Sequence, residues 1–166
     1  MIRVWQLFFG FYLVLLGIQA QGQNQKLVIP PAKPTLPVKT ASNPFHEKKK
    51  AIIAVLQKQQ EDWNRGDLKA FMNGYWNSDT LRLVTVRGVN YGWEKMLASY
   101  KKTFPDSASM GKLDYDVIHV ELICETDVLV TGKWLLNMNK KFKGGYFTFL
   151  FRKLKGKWVI VVDHTS

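Results

Sequence analysis

Hydrophobic residues recur with a helical period in three segments of the chain. In each segment, spacings of three and four residues place the side chains on one helical face. These faces are Ile52, Val55, Leu56, Gln59 and Trp63; then Leu68, Phe71, Met72 and Tyr75; then Trp93, Met96, Leu97, Tyr100 and Phe104. Gly66 can end the first helix in a left-handed conformation, and Asp67 can cap the second. The pattern predicts helices that begin near Glu47, Asp67 and Tyr91.

After Gly111 the helical period disappears, and β-branched and aromatic residues dominate. The predicted strands cover about residues 112–124, 127–138, 142–154 and 157–165. Their links are so short that successive strands must be antiparallel neighbours. Another short strand is predicted within residues 79–88. The order helix, helix, strand, helix and four-strand meander predicts an α+β domain, with three N-terminal helices packed on one face of a curved, mostly antiparallel sheet.

Apolar residues occupy both faces of the predicted meander. In its second strand Val128, Val130 and Leu136 share one face, whereas Leu129 and Leu135 lie on the other. Because the helices can cover only one face, the simplest way to bury the other face is contact with a second copy of the chain. The pattern therefore predicts a homodimer, and a linker that folds back over the sheet is the alternative.

The first 22 residues have the pattern of a secretory signal. Arg3 precedes an apolar run from Leu7 to Ile18, and the small residues Ala20 and Gly22 follow it. The run is shorter than the ~20 residues that cross a bilayer, so we expect removal of the segment rather than retention as an anchor. The sequence thus predicts a periplasmic or secreted protein that does not stay in the membrane after signal removal.

Residues 23–46 contain five of the six prolines and show no helical or strand period. This composition predicts a semi-extended linker. The folded domain is therefore expected to cover residues 47–166.

The formal charge of +11 does not by itself indicate a nucleic-acid partner. Residues 1–50 contain seven bases and one acid, so about half of the excess lies outside the predicted domain. The stretch KGGYFTFLF matches the RNA-recognition consensus only in part, because Gly145 and Tyr146 stand where an aromatic and a small residue are expected. We expect no nucleic-acid partner.

Cysteine and histidine are scarce. Cys124 is the single cysteine, so no internal disulfide can form, and its apolar neighbours predict a buried side chain. The three histidines, His46, His119 and His164, lack the spacing of a zinc site. We expect neither a metal nor another cofactor.

Four motifs together carry a family resemblance. WNRGDLKAFMNGYWNSDTLRL, VNYGWEKMLASYKKTFPD, GGYFTFLFRK and KWVIVVDHTS resemble segments of the nuclear transport factor 2-like superfamily, in particular its small SnoaL-like bacterial domains of unknown function. The resemblance spans about residues 47–166. It implies a cone-shaped α+β barrel with a pocket between helices and sheet, usually in a dimer. The superfamily includes ketosteroid isomerases, polyketide cyclases, dehydratases and members without known activity, so the fold does not give the function.

The final stretch, KWVIVVDHTS, places side by side four residue types that hydrolases use. Neighbours on one strand point to opposite faces, so Asp163 and His164 cannot act with Ser166 as a catalytic relay. Alternation predicts that His164 shares a face with Trp158 and Ile160, opposite to Asp163. The resemblance implies that the Asp163 face lines the pocket. Asp163 is therefore either a candidate pocket carboxylate or an ordinary hydrogen-bonded acid at a strand end.

Aromatic residues supply the other candidate ligand-binding positions. Tyr75, Trp76, Tyr91 and Trp93 lie at the ends of predicted elements near the expected pocket mouth, and their rings carry polar tips. Together with Asp163 they form the predicted site.

Two functions are compatible with these residues. The sequence favours a non-catalytic, exported dimer whose pocket binds a small, largely apolar ligand, because it shows no assembled acid–base group. The alternative is an isomerase, cyclase or dehydratase that uses Asp163 with Tyr75 or Tyr91. The stretch LVTV at residues 83–86 counts against a ketosteroid isomerase, whose proton-shuttling aspartate would lie there. A buried Asp163 with a raised pKa, within about 3 Å of a tyrosine hydroxyl, would favour the enzyme.

Overall fold

The computed structural model describes residues 43–139 and 141–166. The predicted signal segment and nearly all of the predicted linker lie outside these residues. In the described residues, four α-helices and six strands follow in the order α1 (Pro44–Asn64), α2 (Leu68–Phe71), β1 (Arg82–Thr85), β2 (Gly88–Tyr91), α3 (Trp93–Thr103), α4 (Ser107–Met110), β3 (Lys112–Leu122), β4 (Asp127–Met138), β5 (Lys141–Leu154) and β6 (Lys157–Thr165). Within the described part of the chain, no helix is long and apolar enough to cross a membrane.

The first helix begins slightly before the predicted boundary at Glu47. Pro44 is its first residue, where proline fits because the N–H it lacks would have no partner in the helix. The Asn43 side chain accepts a hydrogen bond from the Phe45 N–H at 3.0 Å and caps this end. After the helix ends, Gly66 adopts a left-handed φ of 82°, as its position predicts.

The second predicted helix is only one turn long. Asp67 caps it by accepting a hydrogen bond from the Ala70 N–H at 2.9 Å. A 3₁₀ turn (Met72–Gly74) follows, and the chain leaves it with Tyr75 in extended conformation. This change of direction carries Tyr75 from the helical layer to the sheet.

The six strands form one curved sheet in the order β2-β1-β6-β5-β4-β3. The pairs are antiparallel except for β1 with β6, which is parallel. The predicted α+β class with helices on a curved, mostly antiparallel sheet is confirmed, although β2 and β3 form open edges. The prediction missed β2 and α4, since each has only four residues and no hydrophobic period can be read from so few.

The core lies between the helices and the sheet face that they cover. Buried residues from the helices include Ile52, Leu56, Trp63, Phe71 and Met96, and those from the strands include Val128, Val130, Phe147, Phe149 and Phe151. Gly132 lies beside a register shift in β3, where any Cβ would come within 2.5 Å of the Phe147 ring and of the Asp116 carbonyl. A glycine there lets the sheet curve around the core.

Strand β6 contains a bulge that the alternation of side chains did not predict. Leu150 pairs with Val162 and Phe151 pairs with Ile160, so Val161 is an extra residue. The prediction that Trp158 and Ile160 lie opposite Asp163 is therefore wrong. Ile160 pairs with the buried Phe151 on the helix-covered face, and Asp163 pairs with Phe149 on that same face.

The outer face of the sheet carries exposed apolar residues in the single chain. Leu135, Phe142 and Tyr146 are exposed to 44%, 63% and 58%, and Lys133 lies over the Tyr146 ring at 5.6 Å. The homodimer remains a prediction.

Cys124, predicted to be buried, is exposed because it lies in the link between β3 and β4.

Candidate functional site

A cavity of about 290 Å³ lies between the helices and the covered sheet face. Its apolar walls come from Trp63, Phe71, Tyr100 and Phe104 on the helices and from Leu113, Leu136 and Phe149 on the strands. Among the described residues that line it, Asp163 is the one acidic side chain. The cavity therefore surrounds a single carboxyl group with mostly aromatic and aliphatic surface.

Two hydroxyl groups hold the Asp163 carboxylate. The Tyr75 hydroxyl donates to Oδ2 at 2.9 Å, and the Thr165 hydroxyl donates to Oδ1. Asp163 and Tyr75 are only 2% and 3% exposed. Both oxygen atoms of the carboxylate thus have a protein partner in a setting almost free of bulk water.

The bulge in β6 explains why Tyr75 reaches this acid. Before the bulge, the chain at Tyr75 forms a parallel bridge with Ile160, and the Trp76 N–H donates to the Ile160 carbonyl at 2.9 Å. After the bulge, β6 pairs with β1 instead, with Leu83 beside Asp163. Bulges commonly redirect side chains at functional sites, and this one brings the Tyr75 and Asp163 side chains together.

Burial raises the pKa of Asp163 from 3.8 to about 6. The hydrogen bonds from Thr165 and Tyr75 favour the ionised form and oppose the rise, as does the nearby His164. Burial dominates because it removes the water that would stabilise the charge. Asp163 can therefore change its protonation state near neutral pH, where an ordinary aspartate cannot.

Tyr100 and Tyr115 also face the cavity, although the sequence did not single them out. Burial raises the pKa of the Tyr75, Tyr100 and Tyr115 hydroxyl groups, and the negative charge of Asp163 raises each of them further. All three hydroxyls stay protonated at neutral pH and can donate hydrogen bonds. In the sequence, each of the two residues is a tyrosine on an otherwise apolar face. Many tyrosines of ordinary protein cores share this pattern, so it does not identify a site.

Of the predicted site residues, Tyr75 and Asp163 meet at the cavity. Trp93 is buried in the core, where its indole N–H donates to the Met72 carbonyl at 2.9 Å. Trp76 and Tyr91 line a separate outer depression. Trp76, Tyr91 and Trp93 are not among the residues that line the cavity. Trp76 follows Tyr75 on an extended chain, and β2 carries Tyr91 to the sheet edge, where it lines a depression with Leu83 and Ser99. Their role in ligand binding stays a prediction.

The described residues also bear on metal binding. Within residues 43–139 and 141–166, no three His, Cys, Asp or Glu side chains lie close enough to hold a metal ion.

The fold and cavity define a class of protein in which helices cover a curved sheet and a largely apolar cavity lies between them. Comparison with solved structures identifies the same fold. A nuclear transport factor 2-like protein of unknown function from Shewanella oneidensis is 38% identical and aligns with a TM-score of 0.71, covering 72% of this chain and 98% of that one. The chain belongs to the nuclear transport factor 2-like superfamily, as the motifs indicated.

More distant structures share the fold alone. A ketosteroid isomerase-like protein from Erwinia carotovora is 20% identical with a TM-score of 0.56, over 74% of this chain and 97% of that one. A nuclear transport factor 2-like protein from Salmonella enterica is 15% identical with a TM-score of 0.57, over 74% and 92%. Comparisons with protein-family models and with curated proteins found no match.

Proposed function

We propose that the cavity binds a small, largely apolar molecule that presents one polar group to Asp163 and Tyr75. The observation that carries this proposal is a single buried carboxyl group in an apolar cavity of about 290 Å³. Ligand pockets typically combine apolar walls with a few polar groups that fix orientation, and this volume is close to the ~300 Å³ lower end of their range. We also propose that the protein is exported, because residues 1–22 have the pattern of a secretory signal. N-terminal sequencing of the mature protein tests whether this segment is removed.

Mass spectrometry under native conditions tests ligand retention in protein purified from its own host. We expect the wild-type protein to retain a small molecule and Asp163→Asn to lose most of it, because the amide changes the charge and the hydrogen bonding of the polar anchor. His164→Gln is the matched control, since His164 is exposed and lies on the next position of the same strand. Equal retention by Asp163→Asn and wild-type protein would contradict the proposal.

A second candidate function is proton transfer, with Asp163 as general acid or base. It is favoured by the raised pKa of about 6 and by the Tyr75 hydroxyl at 2.9 Å, the combination expected of an enzyme. Leu83 beside Asp163 weighs against it, because β1 supplies no second carboxylate there. Isomerisation of a β,γ-unsaturated ketone, followed by absorbance of the conjugated product, tests the idea. A rate that Asp163→Asn leaves unchanged would exclude this role.

We also propose that the protein forms a homodimer through the outer sheet face. We expect Leu135→Glu to raise the dimer dissociation constant by about 100-fold or more, because an unpaired charge would be buried in the interface. Val86→Glu is the control, since Val86 is 89% exposed at the β1–β2 turn. Analytical ultracentrifugation at micromolar concentration measures both variants. A monomeric wild-type protein, or equal dissociation of the two variants, would contradict this interface.

A further inference from the structure

Two cationic side chains line the cavity in addition to Asp163. Arg87 comes from the turn between β1 and β2, and Lys143 comes from the start of β5. Both residues are exposed, and neither appears in an ion pair within the described residues. Two cations without acidic partners are therefore directed to the same cavity.

The strand register places both cations toward one end of the cavity. Leu83 pairs with Asp163 in the parallel β1–β6 ladder, and Arg87 lies past the end of β1 in the same direction. Phe149 pairs with Asp163 in the antiparallel β5–β6 ladder, and Lys143 precedes Phe149 on that strand. Both therefore lie beyond Thr165, on the order of 10 Å or more from the level of Asp163 at about 3.3 Å per residue.

This arrangement separates two kinds of recognition along the cavity. Asp163 is buried and accepts hydrogen bonds, whereas Arg87 and Lys143 lie where solvent reaches them. A ligand anion beside Asp163 would be repelled whenever that carboxyl group is ionised. The same anion near Arg87 and Lys143 would meet two donors of charge-assisted hydrogen bonds.

We propose that the ligand is an amphipathic acid. Its carboxylate or similar anionic group pairs with Arg87 and Lys143 at the mouth, its apolar body fills the cavity, and a neutral hydrogen-bonding group at the far end faces Asp163 and Tyr75. The inference rests on the proposed binding function and adds the charge and orientation of the ligand. It predicts that an anionic probe binds better than a neutral probe with the same apolar body.

Two fluorescent probes with a shared aromatic body test the inference on the full chain. Anilinonaphthalene sulfonate is anionic, and N-phenylnaphthylamine lacks the sulfonate. We expect Arg87→Gln and Lys143→Gln each to weaken sulfonate binding by about 3- to 5-fold, and the double variant by about 10-fold, because partly solvated charge pairs contribute up to about 1 kcal/mol each. Binding of the neutral probe should not change.

Two control variants separate the inference from the proposed function. Lys153→Gln removes one charge from the other end of β5 and should leave binding of both probes unchanged. Ser99→Trp places a bulky side chain at the cavity wall and should block both probes. Unchanged sulfonate binding in the double variant, or an equal loss in Lys153→Gln, would overturn the inference while neutral-probe binding still supports the cavity. Failure of Ser99→Trp to affect either probe would overturn both proposals.

Discussion

Asp163→Asn is expected to stabilise the protein at about pH 8, by up to about 3 kcal/mol. Burial raises the pKa of Asp163 from 3.8 to about 6, so the ionised form is less favourable in the folded chain than in the unfolded chain. At about 1.4 kcal/mol for each pKa unit, this difference gives the upper value. Asparagine keeps the size of the side chain and removes the buried charge.

The sign of the pH dependence follows from the same difference in pKa. Between about pH 4 and pH 6 the folded wild-type protein holds a proton on Asp163 that the unfolded chain has released. The free energy of unfolding contributed by this group is therefore highest below the unfolded pKa and falls as pH rises through the folded pKa. In Asp163→Asn this part of the pH dependence should disappear.

Urea denaturation of the wild-type and Asp163→Asn proteins at several pH values measures the effect. Asp127→Asn is a control with the opposite sign, because a hydrogen bond from Arg152 lowers the pKa of Asp127. Its contribution to stability is present above the unfolded pKa, so its loss should lower stability at about pH 8. Lower stability of Asp163→Asn than of wild-type protein at that pH would contradict the argument. A carboxyl group whose removal stabilises the fold is typical of a functional site.

The sequence predicted the long elements well because their hydrophobic periods extend over several turns or strand residues. The four strands of the meander and the helical face that contains Ile52, Leu56 and Trp63 agree with the structure. A long periodic pattern places apolar residues along one whole face of an element, and burial of that face determines whether the segment forms a helix or a strand. The one-turn α4 and the hairpin strand β2 depend instead on a capping box at Asp106 and on Gly88 with a φ of 116°, which are local features without a period.

The site was harder to predict than the fold, and β6 shows why. Residues 159–162 read VIVV, so every position is apolar and β-branched, and no alternation reveals the extra residue at Val161. The family resemblance indicated the correct face for Asp163, whereas alternation placed Ile160 on the wrong one. Aromatic rings at element ends were a weak guide to the cavity, since a ring with a polar tip can equally serve the core, as Trp93 does.

Trp63→Ala is expected to lower the free energy of unfolding by about 3 to 5 kcal/mol. Trp63 is 4% exposed, and its ring makes edge-to-face contacts with Phe71 and Phe104 at centroid distances of 5.0 and 4.9 Å. Its indole N–H donates to the Met110 carbonyl at 3.2 Å, so alanine also removes the partner of a buried acceptor. Thermal and urea denaturation measure the loss.

The position of Trp63 beside the cavity gives this substitution a second consequence. Trp63 forms part of the cavity wall, so its removal leaves an indole-shaped space that opens into the site. Added indole should therefore raise the melting temperature of Trp63→Ala by more than it raises that of wild-type protein, because binding to the folded state stabilises it and the variant has the larger space. Trp76→Ala is the matched control: Trp76 is only half-buried in the outer depression, so we expect a smaller loss and no effect of indole beyond that on wild-type protein. Equal losses in the two variants, or an indole effect on Trp63→Ala no larger than that on wild-type protein, would show that Trp63 does not support the cavity wall.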